Sequence, residues 1–294
     1  MVSVDHPAPA PGAVGPALAN RAHRAVEPLH NHLYFAPEQD EHLTAIGLRP
    51  GRMCYFAGRA APLGAVGPGV VTATFHNFSP ALVARHVPRA WMLAAPERVV
   101  AARFDAARAS LTRLLGDAAR GPEIEELAGL LSEACTALTP DGRPLYAGHA
   151  DLPWPDEPLL QVWHGATLLR EHRGDGHVAV LLRHGLSGIE ALQTHSATGR
   201  DFTPAAAQAL RGYTDEEWAA AAARLADRGL LVDGELTEAG ERLRAEIEAG
   251  TDALALDPWT HLGAERTARV VELGKPLSAR LLAAGAYPAG VFGR

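Results

Sequence analysis

The chain of 294 residues is poor in cysteine, aromatics and lysine. Two cysteines, Cys54 and Cys135, are too few for a disulfide framework and have no metal-type spacing, which fits a reducing, cytoplasmic setting. No apolar run reaches about 18 residues, so a membrane-spanning helix is excluded. Lys275 is the lone lysine among 27 basic residues, and with abundant Ala, Gly and Arg this reports a GC-rich genome rather than a function. Acids number 34, giving a net charge of −7. A field of that sign opposes nucleic acid, although a local basic patch can still bind it. The sequence has no G-x-S-x-G elbow, P-loop, GxGxxG fingerprint, HExxH or CxxC, nor any standard zinc spacing. Its first stretch, MVSVDHPAPAPGAVGP, lacks a basic and then an apolar region and reads as a flexible leader (1–16), not a signal peptide.

What is present is a 47% hydrophobic composition, enough for a sizeable core in two domains or one large helical one. Helical spacing covers 17–35 and 37–47, and 51–64 begins helical before a Pro/Gly turn. GVVTATFHNF (69–78) is either a short strand or a buried helix; helices follow near 80–86, 96–115 and 122–138. Five prolines mark 139–158 as a linker between a helical N-terminal domain (17–138) and a second domain (159–288). The second domain opens with an apolar helix, 159–173, which Gly174 and Gly176 are expected to break. Shorter helices near 177–184, 187–196 and 203–210 follow. Thr214 then caps a helix with acids in its first turn, and Gly229 stops it. LLVDGEL (230–236) reads as two short strands about an Asp-Gly turn, and Thr237 opens a long helix, with two more stretches reaching about residue 285. YPAGVFGR is expected to be loose.

Helix, turn, helix, ribbon and long helix is the order of a winged helix, and RLADRGLLVDGELTEAGERL (224–243) resembles the matching stretch of MarR-type regulators. The phrases YFAPE (34–38), YFAGRAAPLG (55–64), VTATFHNF (71–78), LPWPDEP (152–158), HGATLLREHRGDGH (164–177) and GYTDEEW (212–218) extend the likeness over about 17–288. Over that span the chain is similar to an actinobacterial helix-turn-helix, MarR-like family. The resemblance implies a mainly α fold: a helical N-terminal domain plus a C-terminal MarR-like winged helix with a short two-stranded wing. It also implies a homodimer through terminal helices and allows a transcriptional regulator.

The residues depart from a DNA reader. The helix that should enter the major groove, 214–229, leads with Asp215, Glu216, Glu217, Trp218 and a run of alanines, and the wing tip is Asp233-Gly234-Glu235. Carboxylates there would face phosphates, and no Arg, Lys, Asn or Gln is placed to read a base edge. DNA binding through 214–229 is therefore not expected. A dipole-complementing first turn explains the acids without any function.

The 14 histidines point toward proton or ligand chemistry. His164 lies in the apolar helix, with Glu171 seven residues on and within about 20° of its face. Arg170, Glu171, His172, Arg173, Asp175 and His177 cluster at its end, where buried ionisable groups must pair or change protonation. One reading makes this a helix terminus with His164 a core residue. The other makes it a site in which His172 or His177 does acid–base work on an anionic small molecule, oriented by Glu171 or Asp175 and held by Arg59 or Arg173. His30 and Tyr34 share a helical face, whereas His30 and His32 do not and cannot chelate one metal. His76 and Asn77 either line a pocket or bond buried backbone. Arg59, among small residues, either clamps an anion or pairs with an internal acid such as Glu38. The ingredients for haem are present in His164, His172 or His177 beside arginines. The favoured reading is a winged-helix scaffold with degenerate DNA contacts that binds, and in an enzymatic version transforms, a small molecule. The alternatives are a ligand-responsive regulator and a non-catalytic interaction protein.

Overall fold

A computed structural model describes residues 14–199 and 202–288; most of the expected leader and the tail beyond Pro288 lie outside the described residues. The described part is mainly helical. Its elements are α1 (Pro16–Asn31), α2 (Pro37–Ala45), α3 (Arg52–Ala60), α4 (Pro68–Phe75), α5 (Pro80–Leu93), α6 (Pro96–Leu115), α7 (Pro122–Cys135) and α8 (Pro144–Ala150). Then come α9 (Pro158–Arg183), α10 (Gly188–Ser196), α11 (Pro204–Arg211), α12 (Asp215–Asp227), β1 (Leu231–Val232), β2 (Glu235–Leu236), α13 (Glu238–Leu254), α14 (Asp257–Leu262) and α15 (Ala264–Ala283). No described helix is long and apolar enough to cross a membrane.

Nine of these helices start on proline. Proline suits that position because its fixed φ is already helical and the N–H it lacks would have had no partner there. Pro68 accordingly resolves GVVTATFHNF in favour of a helix, α4. Pro144 and Pro158, inside the Pro-rich 139–158 stretch, begin α8 and α9.

The expected break at Gly174 and Gly176 does not occur: α9 runs unbroken through both, and the segment 177–184 is its last part. These glycines admit arginine side chains instead. A Cβ at Gly176 would stand 2.6 Å from Arg143 Nη1, and one at Gly174 would stand 2.6 Å from Arg170 Nη1. Arg143 crosses Gly176 to donate to the His172 carbonyl and, at 2.8 Å, to the Leu254 carbonyl. A helical glycine costs about 1 kcal/mol relative to alanine, which burial of α9 on several sides offsets.

The main core gathers Leu29, Leu111, Leu131, Trp163 and Trp259 from α1, α6, α7, α9 and α14. α15 lies on α1, where Gly274 permits close approach to the Ala25 carbonyl and Ser278 Oγ donates to that same oxygen at 2.7 Å. An aromatic core of Phe56, Phe75 and Phe78 joins α3, α4 and the turn before α5. The last turns of α9 enter a separate core, where Val180 and Leu181 meet Leu225, Leu231 and Ile247.

The Asp-Gly turn forms as its residues require. Asp233 and Gly234 take φ of 52° and 84°, and the antiparallel ribbon pairs Leu231 with Leu236 and Val232 with Glu235. Thr214 caps α12 in a reciprocal box with Glu217: the Glu217 amide donates to Thr214 Oγ1 at 3.2 Å, and the Thr214 amide donates to Glu217 Oε2 at 2.9 Å. One of the three leading acids thus has a local structural task.

Candidate functional site

Glu171, on α9, is fully buried and faces α3. Arg59 grips it with both arms of its guanidinium, Nε to Oε1 at 3.0 Å and Nη2 to Oε2 at 2.7 Å. The expectation that Arg59 pairs internally holds, but its partner is Glu171. Glu38 is taken by Arg113. Burial pushes the Glu171 carboxyl up, yet the Arg59 charge and hydrogen bonds outweigh it and hold the group well below the usual carboxylate range. Arg59 stays cationic for the same reason and lies 4.4 Å above the Phe75 ring.

A second chain of hydrogen bonds runs beside this pair. His30, fully buried, joins Thr167 Oγ1 at 2.8 Å through Nδ1 and Tyr34 at 2.7 Å through Nε2, and that Nε2 stands 4.0 Å from Glu171 Oε1. Burial keeps the His30 imidazole neutral, with a pKa well below its ordinary value. His30 and Tyr34 share a face as their spacing requires; His32 turns away to Ser110, at 2.9 Å.

The pair floors a cleft of about 1270 Å³. Tyr34, Tyr55, Arg59 and Glu171 line its floor; Phe75, His76, Asn77 and Phe78 line one wall; β2, α10, α11 and α13 supply the other. Asp175 and His177 also border it. Arg173 does too, but its charge is met by Asp252 at 2.9 Å and Glu248 at 3.6 Å. Neither arginine expected to hold an anion is without a carboxylate. His76, at φ 55°, presses its carbonyl against α10, where a Cβ on Gly188 would come within 1.9 Å.

Other expected residues lie apart from the cleft or are held within it. His172 is buried, edge-on to Tyr146, and His177 Nδ1 meets Thr251 Oγ1 at 2.8 Å. Burial, aided by Arg143 for the first and by Arg244 and Arg173 for the second, pushes each down to about 3. Asp175 accepts from the Tyr146 amide at 2.9 Å, and burial raises it to about 6. His164 packs edge-on to Trp154 behind the floor, pushed down to about 4 by burial and by Arg103. Of the three histidines considered for haem, only His177 borders the cleft. Among the described residues no three His, Cys, Asp or Glu side chains form a metal cluster. Cys54 is buried, its thiol donating to the Arg49 carbonyl at 3.0 Å and pushed up to about 12 by burial.

Sequence reasoning passes over several groups. Arg103 is buried under Trp163, and its Nη1 donates to His149 Nε2 at 3.0 Å, while its Nε and Nη2 have no hydrogen-bond partner among the described residues. Burial and the Arg103 charge push His149 to about 3. Arg52, Tyr55 and Arg59 repeat at i, i+3 and i+7 on α3 and so form one stripe. That spacing is the signal the sequence offers.

On the far wall, α11, the turn Gly212-Tyr213-Thr214 and α12 make a helix-turn-helix, with Gly212 left-handed at φ 74°. The ribbon and α13 follow it. The chain belongs to a helix-turn-helix family, whose model matches residues 19–288. No curated protein and no solved structure matches it.

Proposed function

We propose that this helix-turn-helix protein binds a small molecule in the cleft, with Tyr34, Tyr55 and Arg59 contacting it at the floor. The observation that carries this reading is the Arg59–Glu171 pair with its Tyr34–His30–Thr167 companion, placed at the bottom of a cleft of about 1270 Å³. Ligand sites are concavities of roughly 300–1000 Å³ with a few fixed polar groups among apolar walls, and buried charge of this kind is costly unless it is paired or used. In an enzymatic version the proton chemistry falls to Tyr34 and His30, because the Tyr34 hydroxyl is the one joined to a neutral imidazole beside a carboxylate. The DNA-contacting elements fit this reading: Asp215, Glu216 and Glu217 are exposed at the start of α12, while Arg224 is paired with Glu190 and Arg228 with main-chain carbonyls.

A metabolite library screened by thermal shift tests the proposal. Binders should raise the melting temperature and lose affinity by about tenfold when Tyr34→Phe or Tyr55→Phe removes a floor hydroxyl. If no compound binds, or if affinities are equal across these variants, the reading fails.

A second reading, a MarR-like ligand-responsive regulator, is compatible with membership of a helix-turn-helix family. Titration with DNA from upstream of the protein's own gene, at low salt where phosphate contacts are strongest, separates the two. Binding tighter than to a random duplex makes the regulator the leading reading. Equal binding retires it.

A further inference from the structure

The two arginines expected to meet an anion are both neutralised, but Arg52 and Arg211, which border the aromatic side of the same cleft, are not. Arg52 stands one stripe position before Tyr55 and Arg59 on α3, and Arg211 ends α11 on the opposite wall. Neither makes an ion pair with a described carboxylate, and the buried Arg211 Nε has no hydrogen-bond partner. Arg211 is held rigidly all the same: its guanidinium lies 4.4 Å from the centre of the Phe78 ring and 5.0 Å from that of Phe202. Main-chain bonding fixes its position, since Ser79, before α5, donates its amide to the Arg211 carbonyl at 2.9 Å. The charged and titratable groups that act most strongly on Arg211 among the described residues are Tyr55, Arg52, Arg59 and Tyr213, none of them a carboxylate. Burial, with Arg52 and Arg59 adding to it, lowers its pKa, as expected of a cation lacking a counter-charge. Tyr55, Phe75 and Phe78 make an aromatic wall beside these charges, with ring centres 5.5 Å apart for Tyr55 and Phe78.

Two cations without a carboxylate partner, set beside an aromatic wall, are stabilised when an anion completes them. We propose that Arg52 and Arg211 form an anion subsite, and that the cleft takes an organic acid whose carboxylate, sulfonate or phosphate group sits between them while a ring-sized apolar body lies along Tyr55, Phe75 and Phe78. This inference rests on the cleft being a ligand site and assigns its ligand class. It also separates two tasks: Arg59 is spent on Glu171 and shapes the floor, whereas Arg52 and Arg211 select charge.

The test uses two probes with one aromatic skeleton. 8-Anilinonaphthalene-1-sulfonate carries the anion and N-phenyl-1-naphthylamine lacks it, and both report binding by fluorescence. Arg52→Gln and Arg211→Gln should each weaken the sulfonate by about tenfold and leave the neutral amine within about twofold. Arg211→Lys, which keeps the charge, should retain most of the sulfonate affinity and guards against a merely structural effect of the glutamine. Equal sulfonate affinity in the wild type and both glutamine variants overturns the subsite. The cleft reading survives that result if the neutral probe still binds and weakens with Tyr55→Phe. If neither probe binds, both readings fall.

Discussion

Thr167 fixes the tautomer of His30. Its hydroxyl donates to the Trp163 carbonyl at 2.8 Å, so its 2.8 Å contact with His30 Nδ1 has the imidazole as donor. The proton therefore sits on Nδ1, and Nε2 accepts from the Tyr34 hydroxyl at 2.7 Å. Replacing Tyr34 by Phe leaves a buried imidazole nitrogen without a partner, a loss of about 1–3 kcal/mol. Denaturant unfolding measures it, and nitrogen NMR of the wild type should show a protonated Nδ1. A protonated Nε2 would contradict the assignment.

Arg59 and Glu171 should be unequal to the sum of their single replacements. Removing one member leaves an uncompensated buried charge, so Arg59→Met or Glu171→Leu alone should destabilise by about 3–5 kcal/mol. The double variant, which removes both charges, should recover much of that loss. A double-mutant cycle decides the matter: additive losses would mean that the two side chains do not act as a pair.

Acid should unfold the protein through its histidines. His32 and His164 are pushed to about 4, and His149, His172 and His177 to about 3, in each case chiefly by burial. An unfolded chain takes up these protons near pH 6.5 and the folded one does not. The stability they contribute is complete above that pH and is lost as pH falls toward 3–4. Each unmatched proton is worth about 1.4 kcal/mol per pH unit, so five such groups exhaust an ordinary stability of about 5–15 kcal/mol within about two units. Urea melts at pH 7.5, 6 and 5 should show a steep decline, and a flat profile would contradict the neutral assignments.

Asp175 titrates with the opposite sign. Its folded pKa is raised to about 6, so the folded state holds the proton more tightly and loses stability as pH rises from about 4 through 6. Asp175→Asn keeps an acceptor for the Tyr146 amide and removes the buried charge. It should be more stable than the wild type at pH 7.5, with the difference shrinking toward pH 4. A constant difference across that range would sink the idea.

Gly188 should tolerate no side chain. Its Cβ would lie 1.9 Å from the His76 carbonyl oxygen, a main-chain atom that cannot swing aside. Gly188→Ala is expected to destabilise by about 2–3 kcal/mol. Gly129, inside α7 with nothing within 4 Å of the place a Cβ would occupy, is the control, and alanine there should be neutral or stabilising. Equal effects at the two positions would refute the steric account.

Local chemistry is legible in the sequence and long-range chemistry is not. Thr214 and Glu217, Asp233 and Gly234, and the shared face of His30 and Tyr34 are set by neighbours within four residues, and each forms as its spacing implies. The Gly174–Gly176 break fails because burial of α9 outweighs local propensity. Arg59 shows in the sequence its need for an acid, but Glu171 lies 112 residues away and no local spacing names it. Arg52 carries a signal, its stripe with Tyr55 and Arg59; Arg211 carries none, because what matters there is that no described carboxylate pairs with it.

One consequence of the unbroken α9 concerns motion. Glu171 meets α3 at the floor, and Val180, nine residues later on the same helix, packs in the core beneath the ribbon. They are separated by about 14 Å of continuous hydrogen-bonded backbone. A helix of that kind transmits displacement along its axis but does not fold like a joint. The distance from the floor to the base of the ribbon therefore behaves as a fixed ruler, set by the rise of the helix.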